Sequence, residues 1–368
     1  MKFNVMRSRF LDLLSNVQSV VPSKPALQII SNAMVEVKEN VLTLTATDLD
    51  VSVRTLLSTD LKVDEEGKTT LPVRKIIEIL RMAPEGEIQI EVDADNVARI
   101  ITPAAKYKVM GLDVHEFPVI KEPNEDAKCF TVDRALFREM LRKTSYAAGT
   151  DETRRILTGV LMQFAEGKLT MVATDGKRLA LVEQELEFAA DSACEMIVPP
   201  KAVTELMRLL AGEGQMKIFV QANQMVIDCG TFRFYSKLIE GVYAKYRQVI
   251  PSSCDERVTI SREELIASIQ RVAIMSNDKA YAVKLAFNEG AVTLSAASTE
   301  AGEASDVLPI KYSGRAINAT YNPAYIMDCL RTLDTDEIIF ELSDGHAPAV
   351  IKCGIPFLYV IMPLRIPM

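Results

Sequence analysis

Residues able to do chemistry are few and scattered. The chain has two histidines, His115 and His346, and six cysteines, Cys129, Cys194, Cys229, Cys254, Cys329 and Cys353. No cysteine pair has CxxC spacing, and neither histidine has a Cys or His neighbour at ligand distance in the sequence. No zinc site is expected. The segment TDGKR at Thr174–Arg178 offers an Asp–Lys pair that could move a proton. A polar turn closed by an ion pair is the commoner use of that composition. GxSxG, GxxxxGK[ST] and HExxH patterns do not occur. The expectation is therefore a protein that is not an enzyme and that carries no metal or cofactor. The start MKFNVMRSRF lacks an apolar signal stretch, and no apolar run approaches the ~20 residues of a membrane span. A cytoplasmic location is expected, with the six thiols free and buried.

The elements that must position any site come in three copies. KFNVMRSRFLDLLSNV from Lys2, CFTVDRALFREMLRKT from Cys129 and RVTISREELIASIQRV from Arg257 align without gaps. Each reads as a short strand running into a helix. Apolar residues recur at helical spacing: Phe10, Leu13, Leu14 and Val17, then Phe137, Met140 and Leu141, then Leu265, Ile269 and Val272. Asp133 and the Ser261–Glu264 capping box mark two of the helix starts, whereas Met6 offers no cap.

Further along, each copy has a strand ending in a polar turn: LTLTATDLDVSV, LTMVATDGKRLALV and VTLSAASTEAGEA. A second helix follows: PVRKIIEILRM from Pro72, PPKAVTELMRLLA from Pro199 and NPAYIMDCLRTL from Asn322. A pair of strands closes each copy. Polar linkers, VIKEPNEDAK at 119–128 and PSSCDER at 251–257, separate the copies. The predicted class is α+β, with two helices packed on β-sheets in each of three domains, at 1–120, 128–250 and 256–368. Repeats of this size hold their own cores, unlike the short units of solenoids.

Charge is distributed unevenly over these elements. The predicted helices span 7–17, 73–82, 134–144, 201–211, 262–272 and 323–333. They carry fourteen Lys or Arg against seven Asp or Glu, a net +7, in a chain whose net charge is −8; the remainder therefore carries −15. Cationic helices on an anionic body attract a polyanion only where the helices face it. No group of Asn, Gln or Arg at one helix start suggests base reading, so contact would be with phosphates. On the residues alone, an enzyme and a scaffold that never meets nucleic acid remain as alternatives.

Four segments carry a resemblance. ATDGKRLA at Ala173–Ala180, TDL at Thr47–Leu49, YRQVIP at Tyr246–Pro251 and YVIMPLRI at Tyr359–Ile366 make the chain resemble the bacterial DNA polymerase sliding clamp, the beta subunit of the DNA polymerase III holoenzyme. The resemblance covers essentially the whole chain. It implies a DNA-clamp fold and a head-to-tail dimer ring. It also implies a processivity factor that encircles double-stranded DNA without sequence preference, tethers the replicative polymerase catalytic subunit, and is placed on DNA by a separate ATP-driven clamp loader. Other polymerases and repair proteins would dock through short linear motifs.

Carried over residue by residue, a peptide-binding cleft would use Leu157, Thr174, Gly176, Lys177, Arg178, Leu179, Val249, Val360, Ile361, Met362, Pro363, Leu364 and Arg365, with Arg178 and Arg365 as polar anchors. DNA-facing residues would be Lys24, Arg74, Arg138, Arg142, Arg154, Arg155, Lys201 and Arg208. The homodimer interface would join Lys106, Tyr107, Lys108 and Val109 to Ile274, Met275, Glu300 and Glu303. Ala244, Gln248, Ala280 and Lys177 depart from common family residues, the chain runs on to Pro367–Met368, and the aromatic pair of some relatives near Arg154 is missing.

Overall fold

A computed structural model describes residues 1–276, 281–298, 302–354 and 356–365. Seven helices are found among them: α1 (Arg7–Gln18), α2 (Val73–Met82), α3 (Arg134–Thr144), α4 (Arg155–Thr158), α5 (Pro200–Leu209), α6 (Arg262–Ala273) and α7 (Pro323–Arg331). Six match the predicted helices to within about two residues at each end; α4 is a single unpredicted turn in the second copy. The apolar positions named from the sequence are the buried ones: Phe10, Leu13, Leu14 and Val17 on α1, Phe137, Met140 and Leu141 on α3, and Leu265, Ile269 and Val272 on α6. Ser261 caps α6 by accepting from the Glu264 amide, and Asn322 caps α7 with Pro323 in its first turn. α1 begins at Met6 without a side-chain cap.

The second and third copies each build two four-stranded antiparallel sheets, and the first a four-stranded and a five-stranded one; each copy has one more closing strand than the predicted pair. The third closing strands are Lys106–Met110, Phe232–Lys237 and Phe357–Ile361. These strands matter because two of them join one copy to another. In spatial order, one eight-stranded sheet runs Lys128–Asp133, Gln215–Gln221, Gln224–Asp228, Phe232–Lys237, Val51–Leu57, Val41–Thr47, Asn32–Lys38 and Gly67–Pro72. Its first four strands belong to the second copy and its last four to the first.

The other eight-stranded sheet runs Cys194–Val198, Val160–Ala165, Lys168–Thr174, Arg178–Glu185, Phe357–Ile361, Ala349–Lys352, Glu337–Leu342 and Glu256–Ser261. It joins the second copy to the third. Two sheets remain unshared: Leu61–Glu65, Lys2–Met6, Glu87–Val92, Val97–Ile101 and Lys106–Met110 in the first copy, and Gly302–Pro309, Ala291–Ser298, Val283–Asn288 and Ile317–Tyr321 in the third.

By contacts the chain forms two compact units, Met1–Ala135 with Thr204–Leu238, and Leu136–Val203 with Ile239–Met368. The boundary passes through the second copy, because each shared sheet takes one of that copy's two sheets.

One expectation is corrected. All six cysteines are free, but only Cys329 and Cys353 are buried; Cys129 is exposed, and Cys194, Cys229 and Cys254 are half-buried. Cys129 lies on the edge strand Lys128–Asp133, whose pattern turns alternate residues outward. No helix among the described residues is long and apolar enough to cross a membrane.

Candidate peptide-docking cleft

The TDGKR turn is a hydrogen-bonded knot rather than a catalytic pair. The Thr174 hydroxyl donates to the Arg178 carbonyl at 2.6 Å and accepts from the Gly176 amide at 3.1 Å. Asp175 Oδ1 accepts from the amides of Lys177 and Arg178 at 2.8 and 3.0 Å. Gly176 sits at φ +88°, where a side chain would be strained. The same knot occurs in the first copy, where Thr47 bridges Val51 and Leu49, and Asp48 accepts from Asp50 and Val51.

The turn leads into the strand Arg178–Glu185, which pairs with Phe357–Ile361 in the register Leu179↔Val360 and Leu181↔Leu358. Alternation puts these four on one face. There they join Leu161, Val172, Ile197, Ile239, Tyr243 and Tyr246, with Ile156, Leu157 and Ile250 packed alongside. A cleft of about 200 Å³ opens over this cluster. It is lined by Leu157, Thr174, Gly176, Lys177, Arg178, Leu179, Ala244, Lys245, Tyr246, Val249, Val360 and Met362. Val249 is 50% and Met362 40% exposed, so apolar surface stands open to water on two walls.

Nine of the thirteen carried-over residues line this cleft. Ile361 does not: it is fully buried, one residue out of phase with Val360, and so on the opposite face of the strand. Pro363 and Leu364 are half-buried and Arg365 is exposed, outside the lining. The Leu364 amide instead donates to the Thr320 carbonyl at 2.7 Å. Ala244, Lys245 and Tyr246 were missed as lining. They stand beside or within the 3₁₀ turn Tyr246–Val249 that carries Val249, and that adjacency was the available signal.

Arg178 is engaged within the fold. It donates to Asp175 at 3.1 Å, to Asp328 at 2.6 Å and to the Tyr146 carbonyl at 2.7 Å, and lies 4.3 Å from the centre of the Tyr325 ring. Burial works against its charge, but the hydrogen bond to Asp328 and the nearby carboxylates raise its pKa. Arg178 therefore stiffens the cleft wall. Burial also raises the pKa of Tyr243, whose phenol oxygen accepts from the Thr174 amide at 3.2 Å.

Among the expected DNA-facing residues, Lys24, Arg74, Arg138, Arg154, Arg155, Lys201 and Arg208 are exposed. Arg74, Arg81 and Arg208 share one hollow of about 470 Å³ beside Ser15, Ser19 and Glu78. Several of the expected residues are tied internally: Arg74 donates to the Val21 carbonyl at 3.1 Å, and Arg154 pairs with Asp151 at 3.2 Å. Arg142 is held by Glu139 and Asp334, each at 2.6 Å. Arg208 donates to the Asn16 carbonyl at 2.7 Å and pairs with Glu205 at 3.2 Å.

Of the expected interface residues, Lys106 and Lys108 are exposed, Tyr107 is half-buried and Val109 is buried, on a strand that ends its sheet. Ile274 is 74% exposed, Met275 is half-buried, and Glu303 is exposed on another sheet-ending strand. Glu300 lies outside the described residues, as do Ala280 and Pro367–Met368. No cluster of His, Cys, Asp and Glu able to hold a metal occurs among the described residues.

Known proteins with this architecture are DNA clamps. The beta subunit of DNA polymerase III from Pseudomonas aeruginosa superposes with a TM-score of 0.95 over 100% of both chains at 29% identity. A clamp from Bartonella birtlesii, solved bound to griselimycin, does so at 0.94 with 31% identity, again over 100% of both chains. In sequence, the beta sliding clamp of Chlamydia trachomatis is 31% identical over 366 residues, covering 100% of this chain and 87% of the relative. Three family models, the N-terminal, central and C-terminal domains of the DNA polymerase III beta subunit, match residues 1–121, 131–245 and 247–365. The class is thus a three-domain DNA clamp of α+β fold. The chain belongs to the DNA polymerase III beta subunit family, the beta sliding clamps, and is a non-catalytic processivity factor that works on DNA with a polymerase.

Proposed function

We propose that this chain forms a head-to-tail homodimeric ring around duplex DNA in the cytoplasm, and that the cleft over Leu179 and Val360 docks short linear motifs of its partners. Those partners are the replicative polymerase, a clamp loader that opens the ring with ATP, and other polymerases and repair proteins. The three domains are 1–120, 128–250 and 256–368. One observation carries the docking reading: an apolar floor with the half-exposed Val249 and Met362 at its rim. An open apolar groove of this size fits a few side chains of an extended peptide, which corresponds to micromolar affinity, about −8 kcal/mol.

Lys24 on its loop and the cationic helix residues, Arg74 and Arg155 among them, face the DNA backbone in this reading. Their spread favours weak, salt-sensitive attraction rather than a tight site. Loaded rings stay on nicked circles and leave linear DNA through its ends; equal release from both would overturn the ring.

The cleft is tested by deleting the chain from Met362 onward. The truncated protein sediments as a dimer and loses a fluorescent polymerase peptide; retention of the peptide at full affinity would remove the assignment. Ile274→Ala with Met275→Ala splits the dimer, since each truncation at such an interface costs roughly 2–3 kcal/mol.

A further inference from the structure

The sheet face that floors the cleft continues beyond it. Leu161, Val172 and Leu181 stand opposite one another across three strands, and two residues further along stand Gln163, Thr170 and Glu183. Alternation puts both rows on the same face, ~6.6 Å apart. A second hollow of about 440 Å³ lies over the polar row, lined by Gln163, Lys168, Thr170, Glu183 and Arg247 among others. The turn Tyr246–Val249 divides it from the cleft: Tyr246 lines the cleft and Arg247 lines the hollow. The Tyr246 hydroxyl donates to Gln163 Oε1 at 3.4 Å, and the Arg247 guanidinium lies 5.5 Å from the centre of the Tyr246 ring. The two hollows therefore share a wall.

The charges in the hollow are unevenly satisfied. Arg247 and Lys168 both face Glu183, at 3.8 and 3.9 Å, distances too long for hydrogen bonds. Glu183 also accepts from the Thr170 hydroxyl at 3.4 Å. A guanidinium has five N–H donors and an ammonium three, so one shared carboxylate leaves most of that capacity unused. Glu166 lines the hollow too, but it is exposed on the turn between Val160–Ala165 and Lys168–Thr174, and the ion pairs of both cations are with Glu183.

This charged row belongs to the second copy alone. LTLTAT, LTMVAT and VTLSAA superimpose, so Thr43, Thr170 and Thr293 hold one place. Their partners on one side are Leu56, Glu183 and Val307, and on the other Glu36, Gln163 and Ala286. Two residues earlier stand Val41, Lys168 and Ala291. The Lys168–Glu183 pair thus occurs only in the copy whose sheet floors the cleft.

We propose that this hollow is a further subsite of the docking cleft, and that it takes the side-chain carboxylate of an Asp or Glu flanking the apolar part of the docked motif. Lys168 and Arg247 hold that carboxylate. This rests on the docking reading and adds a charge preference to it. From Leu179 to Glu183 the strand runs four residues, ~13 Å. An extended peptide with an apolar side chain over Leu179 therefore brings a residue about four to six positions away over the hollow, once it has passed the Tyr246–Val249 turn. Charge-assisted hydrogen bonds to a guanidinium and an ammonium then select an acidic residue there over its amide.

The test is fluorescence polarisation on the full chain. The probes are labelled polymerase-motif peptides, extended by six residues at each end and blocked at both termini, in which one Glu or Gln is walked through the flanks. On the wild-type protein, Glu binds about tenfold tighter than Gln at one flank position four to six residues from the apolar motif, and the ratio shrinks in high salt. In Lys168→Gln with Arg247→Gln, checked for an unchanged melting temperature, the ratio falls below twofold. Equal affinity of Glu and Gln peptides at every position overturns the subsite and leaves the cleft standing. A tenfold ratio that survives in the double variant does the same, because the carboxylate is then held elsewhere. Failure of every peptide to bind the wild-type protein removes the docking reading itself. If the double variant melts early, Lys168→Gln alone is read instead: the ratio falls about threefold, and an unchanged ratio overturns the subsite.

Discussion

The joint between the first and second copies and the joint between the second and third share one backbone plan but do different things. At the first, the outward face of the paired strands carries Arg54↔Arg233 and Ser52↔Tyr235. At the second, the equivalent positions are Leu181↔Leu358 and Leu179↔Val360. Two arginines opposite one another are unfavourable alone. Glu122, from the linker that follows the first copy, closes over them: it pairs with Arg54, pairs with Arg233 at 3.1 Å and accepts from the Tyr235 hydroxyl at 3.0 Å. The first joint is thereby sealed by its own linker. At the second joint, the turn Tyr246–Val249 leaves an apolar floor partly uncovered, and the cleft results. Four side chains, not a change of fold, separate a closed joint from one with an open apolar cleft.

The largest way to break this contrast is Arg178→Ala. The equivalent residue of the first copy is the buried Val51, so the buried guanidinium belongs to the second joint alone. Its removal leaves Asp175 and Asp328 without their shared partner and costs about 3 kcal/mol by chemical denaturation. A loss below 1 kcal/mol would mean that Arg178 is not the strut of that wall. Next comes Val249→Glu with Met362→Glu, which makes the open rim acidic without touching the core. Peptide affinity falls about a hundredfold, near 2.7 kcal/mol, at an unchanged melting temperature; unchanged affinity counts against the cleft.

A smaller effect is expected at the sealed joint. Glu122→Gln removes the charge between the two arginines, all three residues being partly exposed, so about 1 kcal/mol is lost, and less in high salt. Equal loss at low and high salt would argue against an electrostatic seal.

The smallest effect is a pH dependence. Burial, together with Glu122, pushes the Tyr235 hydroxyl up to about 12, although Arg54 beside it acts in the opposite direction. A folded-state pKa above the unfolded value of ~10 gives stability that is full below pH 10 and lost as pH rises towards 12. The melting temperature should fall across that window, and less steeply in Tyr235→Phe. Identical slopes would exclude Tyr235 as the titrating group.

Much of this was legible in the sequence because the signals are local. Helical spacing gave six helices and their buried faces, and the gapless repeat gave the threefold plan. The apolar cleft residues Leu157, Leu179, Val249, Val360 and Met362 came from resemblance, and the geometry brings them together. What was not legible depended on pairing between distant strands. Nothing near Ile361 announces which face of its strand meets the core, since a shift of one residue inverts every side chain. Reading the residues alone missed the third closing strands because KYKVM and FRFYSK are short and interrupted by charge; the edge strand at Lys106–Val109 came only from resemblance, and the distant partner of FRFYSK, Val51–Leu57, leaves no local signal. Arg178 read as an anchor because Asp328, a hundred and fifty residues away, is invisible to local pattern. Glu122 read as one acid in a polar linker for the same reason.

The second copy gives one of its sheets to each compact unit, and this has a consequence in time. As the chain leaves the ribosome, the first unit has all its strands once Lys237 has emerged, while Arg178–Glu185, at the end of the sheet it forms with Lys168–Thr174 and Val160–Ala165, still lacks its neighbour Phe357–Ile361. At about 5–20 residues per second, synthesis from Leu238 to Ile361 takes on the order of ten seconds. Through that interval Leu179 and Leu181 lie on a bare strand edge. The nascent protein is then half folded and half waiting, and an apolar edge it leaves bare is the one that later becomes the floor of the cleft.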